Sequence, residues 1–311
     1  MDRQARVAFN GFGRIGRQVF RALFGIPHIA IVGIRIPELK LHDRAHSLRT
    51  DAYYGVWDRH VGVDHGKRAL MVDAHPVPLF ETGDPRWDSL DIDILIECSK
   101  DRALKDPVRL RDFGRCAKKT IVTYPVKDKK RDPHDPVSDI IRGADLTAVF
   151  GVNHTLYDGS QTIISGASCT TNCIVPILHP LLQSEPRLIE CSGVTIHSAT
   201  SSQGALGTLD QIALYETGAA HAVEMVLPEL RGKTNFSAYR VPTAQVSCVV
   251  LHCVFDGTPT AEHVYSLLHR ASQTTLAGIL DVRSVPKKRD FSGHHRMSSF
   301  SAIVNSECIS V

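Results

Sequence analysis

Gly166-Ala167-Ser168-Cys169-Thr170-Thr171-Asn172-Cys173 sets a cysteine among small and hydroxyl-bearing residues. Ser168, Thr170, Thr171 and Asn172 are types that cap helices through a side-chain oxygen, and Thr162-Ile163-Ile164-Ser165 before them alternates like a short strand. The pattern predicts a strand that hands Cys169 to a helix start. Unpaired backbone N–H groups and the positive end of the helix dipole favour thiolate over thiol there, so Cys169 reads as a nucleophile near neutral pH. A free cysteine is also among the most often buried residue types, and on this segment alone simple packing competes with that reading.

A second stretch with chemical content lies near the start. Ala5-Arg6-Val7-Ala8-Phe9 reads as an apolar strand, and Val19, Phe20, Leu23 and Phe24 recur at helical spacing after Asn10-Gly11-Phe12-Gly13-Arg14-Ile15-Gly16-Arg17. Gly11, Gly13 and Gly16 fit G-x-G-x-x-G in the strand–turn–helix setting that the motif requires, where glycines let the backbone approach a pyrophosphate at a helix N-terminus. A dinucleotide is therefore expected. The next strand, Ile29 to Ile34, ends in Arg35-Ile36-Pro37-Glu38 and not in the acid that would hold the adenosine ribose. Arg35 either pairs with a 2′-phosphate, favouring NADP over NAD, or is a surface arginine beside a lost ribose clamp. Glu38, beyond a proline, is a poor substitute for the acid.

The elements that must position these groups follow in order. Strands are expected at 70–72, 92–97, 120–123 and 146–150; such near-continuous apolar runs argue a parallel sheet covered on both faces. After about residue 168 the candidates at 193–198, 237–242 and 246–255 alternate and cluster as in an antiparallel sheet, with an amphipathic helix at 262–271 against it. The class is α/β.

Composition narrows the rest. With 311 residues, 43% hydrophobic and 22% charged, the chain is long enough for two cores. No apolar run approaches membrane-spanning length, and Met1-Asp2-Arg3-Gln4 opens no hydrophobic signal region. The eight cysteines are scattered without framework spacing, which suits a reducing compartment and predicts a cytoplasmic protein. A net charge of +3 argues against nucleic acid as a partner, and the densest basic run, Lys127 to Arg131, contains Asp128 and reads as a solvated loop.

Several motifs in one order resemble the glyceraldehyde-3-phosphate dehydrogenase family: Asn10 to Arg17, Gly151-Val152-Asn153-His154, Tyr157 to Ile163, Ala167 to Cys173, His197-Ser198-Ala199-Thr200, Thr217-Gly218-Ala219-Ala220, Leu227 to Lys233, and Arg240-Val241-Pro242-Thr243. The resemblance runs from residue 5 to about residue 300. It implies a Rossmann-type parallel-sheet domain over 1–168 and an α+β catalytic domain with a mostly antiparallel sheet over 169–311. It implies Cys169 as the nucleophile that attacks an aldehyde and His197 as the base that takes the hydroxyl proton. Thr200 and Arg240 match one phosphate subsite, and Ser168, Thr170 and Thr217 the other; hydroxyls and a guanidinium suit phosphate oxygens. Asn10, Gly11, Gly13, Arg14, Ile15, Gly16, Arg35, Ser99 and Thr123 match the NAD or NADP side. The implied partners are a phosphorylated aldehyde, inorganic phosphate and further copies of the chain, a homotetramer in the family. No metal is implied, and Cys173 reads as a packing residue.

The chain also departs from the family pattern. Arg35-Ile36 replaces an Asn-Asp pair, Ser99-Lys100 a Thr-Gly, and Gly83-Asp84-Pro85 an Arg-Asp-Pro. The stretch between His197 and Thr217 is shorter than the family's, without its Trp-Arg and Gly-Arg elements. The strand whose Asn holds the nicotinamide amide, and the long closing helix, have no counterpart before Val311. His197-Ser198-Ala199 and Thr123-Tyr124-Pro125 drift toward the erythrose-4-phosphate dehydrogenase branch. Three readings follow: glyceraldehyde-3-phosphate oxidation, erythrose-4-phosphate oxidation, or a non-catalytic paralogue that binds without turnover.

Overall fold

The computed structural model describes residues 3–99, 101–130, 140–198, 213–215, 217–243, 246–286 and 298–311. The chain divides into two compact units, Met1–Leu146 with Tyr157–Gly166, and Thr147–Leu156 with Ala167–Val311.

The first unit is organised by a nine-stranded sheet whose order is Leu146–Thr147, Ile163–Ser165, Ala117–Val122, Ile92–Glu97, Ala5–Asn10, Ile29–Ile36, His75–Glu81, Ala69–Val72 and Val61–Asp64. From Ile163–Ser165 to His75–Glu81 every neighbour is parallel. The strand expected at 70–72 is present but belongs to an antiparallel meander at the edge, because turns of a few residues join Val61–Asp64, Ala69–Val72 and His75–Glu81. The strand expected at 146–150 spans only Leu146–Thr147. Lys129–Lys130, inside the basic run read as a loop, pairs antiparallel with Ile140–Ile141, and Lys129 forms an ion pair with Asp106.

The chain leaves Ala5–Asn10 on one side to form Ile29–Ile36 and later returns on the other as Ile92–Glu97. That reversal is a topological switch point, where open α/β sheets leave a crevice at the carboxyl ends of their strands. Helix α1 (Arg14–Leu23) follows the first strand after the glycine turn and buries Phe20 against Phe9, Phe12, Phe24 and Trp57. Helices α2 (Leu41–Arg49) and α3 (Pro107–Gly114) complete the unit; Asp106 caps α3 by accepting from Val108 and Arg109.

The second unit packs α4 (Cys169–Leu182), α5 (Ala219–Val226) and α6 (Ala261–Gln273) on one face of a sheet ordered Ala213–Tyr215, Thr234–Val241, Leu188–Ser198, Cys248–Phe255. Ile174, Val175, Leu178 and Leu181 of α4 are buried in its core with Val223, Val226, Leu268 and Leu280. Two of the three strand pairings are antiparallel, as expected. The third, Leu188–Ser198 with Thr234–Val241, is parallel, since α5 lies between the two strands in sequence and provides the crossover that a parallel pair needs. Period-two alternation turns Cys191, Thr195 and His197 toward the helices, while Ile196, Val250 and Val254 stay exposed on the other face.

Candidate active site

The thiol comes from the entry to α4. Ile163–Ser165 ends the strand, Gly166 donates to the Val122 carbonyl at 2.8 Å, and Ala167 takes the left-handed conformation with φ +59°, which a non-glycine residue adopts at a cost. That turn reverses the chain into the helix. Ser168 is the N-cap; its Oγ accepts from the Thr171 amide at 3.0 Å and lies 2.7 Å from Thr171 Oγ1. Cys169 therefore occupies the first helical position, exposed to solvent, where the unpaired amides of the first turn point outward.

His197 reaches it from the Leu188–Ser198 strand, with Nε2 3.4 Å from Cys169 Sγ. Surrounding protein pushes the thiol up, but the hydrogen bond and charge of His197, aided by Thr170, outweigh this and hold Cys169 below an ordinary cysteine. The imidazole moves the other way. Its bond to Cys169 raises it against burial, the Ser198 carbonyl adds to the rise, and Arg240 opposes it. Opposite shifts of two groups in contact move the pair toward thiolate–imidazolium. His197 Nδ1 lies 2.7 Å from the Ser198 carbonyl oxygen, the acceptor that fixes the ring with Nε2 toward sulfur. Cys173, one turn further along α4, packs against the core and has its thiol pushed up to about 11 by burial.

Arg240 is the register partner of His197 on the parallel strand, so both side chains share a face. Its NH1 donates to the Ser198 carbonyl at 2.9 Å and approaches His197 Nδ1 at 2.9 Å. Thr170 Oγ1 is 4.0 Å from Cys169 Sγ. Thr217 lies just before α5, where its Oγ1 accepts from the Ala219 amide at 3.1 Å. Thr200 lies outside the described residues, as do Lys100 and most of the shortened stretch between His197 and Thr217.

In the first unit, the residues matched to the dinucleotide side gather at the switch point. Gly11 has φ +97°, and a Cβ there would meet the Ser99 backbone at 2.6 Å; a Cβ on Gly16 would meet Cys98 Sγ at 2.7 Å. The turn is thus packed tight from behind. Gly13 is the opposite case, with nothing within 4 Å of an added Cβ. It is the N-cap of α1 without a side-chain cap, and Arg14 and Ile15 are exposed beside it. Arg14 lays its guanidinium over the Tyr53 ring at 4.5 Å. A glycine-lined opening over uncapped helical amides fits the pyrophosphate of a dinucleotide.

One residue there escaped the sequence reading. Glu97 ends its strand fully buried, and burial raises its carboxyl above the usual range. Asn10 Nδ2 donates to Glu97 Oε2, the Ser99 amide and hydroxyl donate to Oε1 at 2.8 and 2.7 Å, and Tyr124 OH is 3.4 Å away. Thr123 donates through its amide and hydroxyl to the Glu97 carbonyl. Glu97 thus ties Asn10, Ser99 and Thr123 together, and its one sequence signal is an acid closing an otherwise apolar strand. Arg35, weighed above as a surface arginine or a phosphate ligand, is half-buried; its guanidinium lies over Phe113 at 5.0 Å, with NH1 3.4 Å from Asn10 Oδ1.

A dinucleotide cradle on a Rossmann sheet, together with a thiol–imidazole pair at a helix start, defines a nicotinamide-dependent oxidoreductase. Residues 5–102 match the family model for the NAD binding domain of glyceraldehyde 3-phosphate dehydrogenase, and residues 168–309 the model for its C-terminal domain. The chain is 37% identical over 293 residues to the glyceraldehyde-3-phosphate dehydrogenase of Bacteroides fragilis, covering 88% of this chain and 81% of that protein. It is 33% identical over 314 residues to the enzyme of that name from Geobacillus stearothermophilus, covering 96% and 88%. For glyceraldehyde-3-phosphate dehydrogenase 2 of Bacillus subtilis the figures are 34% over 298 residues, 91% and 82%. The chain belongs to the glyceraldehyde-3-phosphate dehydrogenase family.

Proposed function

We propose that the chain oxidises glyceraldehyde 3-phosphate with NAD or NADP through a thioester on Cys169 that inorganic phosphate releases. The observation that carries the reading is the 3.4 Å contact between Cys169 Sγ and His197 Nε2 at the N-terminus of α4. The relatives named above all carry the glyceraldehyde-3-phosphate name, and neither the erythrose-4-phosphate branch nor a non-catalytic paralogue is favoured over it.

Residues 1–168 hold the dinucleotide, with Asn10, Gly11, Gly13, Arg14, Ile15 and Gly16 at the pyrophosphate and Arg35, Ser99 and Thr123 around it. When bound, the nicotinamide supplies the hydride acceptor. Residues 169–311 carry the covalent chemistry. The Cys169 thiolate adds to the aldehyde carbon, and His197 Nε2 gives a proton to the oxygen to form the thiohemiacetal. His197 then takes that hydroxyl proton as the C–H bond gives up hydride, leaving a thioester. Arg240 and Thr200 hold the substrate's phosphate, while Ser168, Thr170 and Thr217 hold the attacking phosphate, whose oxygen displaces the thiolate. Arg240 would trade its contact with His197 for phosphate oxygens, removing a like charge from the imidazolium.

The chain acts in the cytoplasm as a homo-oligomer, a tetramer by family pattern. Exposed Ile196, Val250 and Val254 on the uncovered sheet face support assembly, and among the described residues no helix is long and apolar enough to cross a membrane. The test is absorbance of the reduced cofactor when the purified chain meets glyceraldehyde 3-phosphate, phosphate and NAD or NADP. Turnover that disappears in Cys169→Ser is expected. No turnover with either cofactor would end the enzyme reading, and faster turnover of erythrose 4-phosphate would move it to that branch.

A further inference from the structure

We propose that Arg35 makes the dinucleotide site selective for a cofactor that carries a phosphate on the 2′-oxygen of its adenosine ribose. The proposal rests on the dinucleotide-binding reading of residues 1–168. Arg35 sits at the carboxyl end of the Ile29–Ile36 strand, beside the glycine turn: it is the register partner of Asn10, and its carbonyl accepts from the Gly11 amide at 2.8 Å. In sheets of this topology an acid at that tip receives the ribose hydroxyls, and an arginine nearby accommodates a 2′-phosphate.

The surroundings of the guanidinium suit an anion. It is supported from one side by the Phe113 ring at 5.0 Å and makes a single long hydrogen bond, 3.4 Å, to Asn10 Oδ1. Asn10 is held by its other end on buried Glu97, so this bond positions the guanidinium without neutralising it. Among the described residues no carboxylate lies within ion-pair distance of Arg35. Glu97, on the rung beyond Asn10, is engaged by Asn10 and Ser99, while Glu38 pairs with Lys40 at 3.0 Å and Asp84 with Arg86. A half-buried cation with most of its fork of donors unengaged is a ready partner for a phosphate dianion, to which guanidinium binds bidentately. The acid that would repel such a phosphate is missing from the same place.

The test uses adenosine fragments without nicotinamide, so its outcome is independent of turnover. Calorimetry on the full chain would compare adenosine 2′,5′-bisphosphate, adenosine 3′,5′-bisphosphate and adenosine 5′-monophosphate. The 2′,5′ isomer should bind at least about tenfold more tightly than either other ligand, a gap of about 1.4 kcal/mol. Arg35→Gln should erase the gap without weakening the monophosphate, and Arg35→Lys should keep part of it. Equal binding of the two bisphosphates, or a preference that survives Arg35→Gln, overturns the assignment and leaves the family function standing. Failure of all three fragments and of NAD and NADP to bind overturns the dinucleotide reading itself, and this proposal with it. Should Arg35→Gln not fold, as judged by its thermal unfolding, the wild-type comparison of the two isomers still decides.

Discussion

Replacing His197 with asparagine isolates what the imidazole does for Cys169. With Nε2 and Sγ 3.4 Å apart, the attraction of a thiolate for an imidazolium is about 1.2 kcal/mol at an effective dielectric of about 80 and about 5 kcal/mol at about 20. The solvent-exposed thiol places the true value toward the lower figure. Even that figure amounts to about an eightfold larger thiolate population at neutral pH. The hydrogen bond and charge of His197 are the main contributions that lower the thiol, so Cys169 of the variant should titrate above its wild-type position. The assay is the rate of iodoacetamide alkylation across pH, with the modified residue assigned by peptide mass, because all eight cysteines are free. Wild type should react at Cys169 on the acid side of an ordinary thiol, and His197→Asn should lose that limb and react at least about eightfold more slowly at pH 7. Cys173, with its thiol pushed up to about 11, serves as the internal control and should stay unmodified in both. An unchanged rate and profile in the variant would refute the thiolate–imidazolium account.

The glycine turn separates folding from binding. Gly11→Ala should cost about 1–3 kcal/mol in urea unfolding, since its φ of +97° and the 2.6 Å approach to the Ser99 backbone leave no room. Gly13→Ala, open to space, should leave stability within about 0.5 kcal/mol yet weaken dinucleotide binding; equal stability losses at the two positions would contradict this division. Asp145 accepts from Arg111, from the Thr162 amide and hydroxyl, and from the Ile163 amide, and these outweigh burial to hold its carboxyl well below the usual aspartate range. A carboxyl depressed by folding contributes stability that is present above the ordinary aspartate pKa and lost as pH falls toward the folded value. Asp145→Asn should therefore be about 2 kcal/mol less stable at pH 7, with the gap to wild type closing in acid; a gap independent of pH would count against it.

Some of this was written plainly in local sequence. The hydroxyl-rich approach to Cys169 announced a helix start, and Gly11, Gly13 and Gly16 announced a cradle, because capping and positive φ are demands that a few residues satisfy alone. His197 is different. As one histidine among sixteen it carries no local mark, and only the order of motifs singled it out, since what brings it to Cys169 is the pairing of a strand with a helix N-terminus. The parallel pairing of Leu188–Ser198 with Thr234–Val241 was illegible for a related reason: alternation reads the same whichever way a neighbour runs. Leu70-Met71-Val72 looked like its parallel companions because composition reports burial and not direction. Glu97 was hidden by being one acid in an apolar strand, where only the donors of Asn10, Ser99 and Tyr124 give it a purpose.

The ladder that pairs His197 with Arg240 has a bearing on how this chain can diverge. Two side chains at one rung of adjoining strands are spaced by the hydrogen-bonding repeat of the sheet, a constant of backbone geometry. The polypeptide between Ser198 and Ala213 can then gain, lose or exchange residues over generations without changing the distance between those two groups. Drift that rewrites the connecting stretch, and whatever it touches, leaves the positions of His197 and Arg240 inherited as one piece.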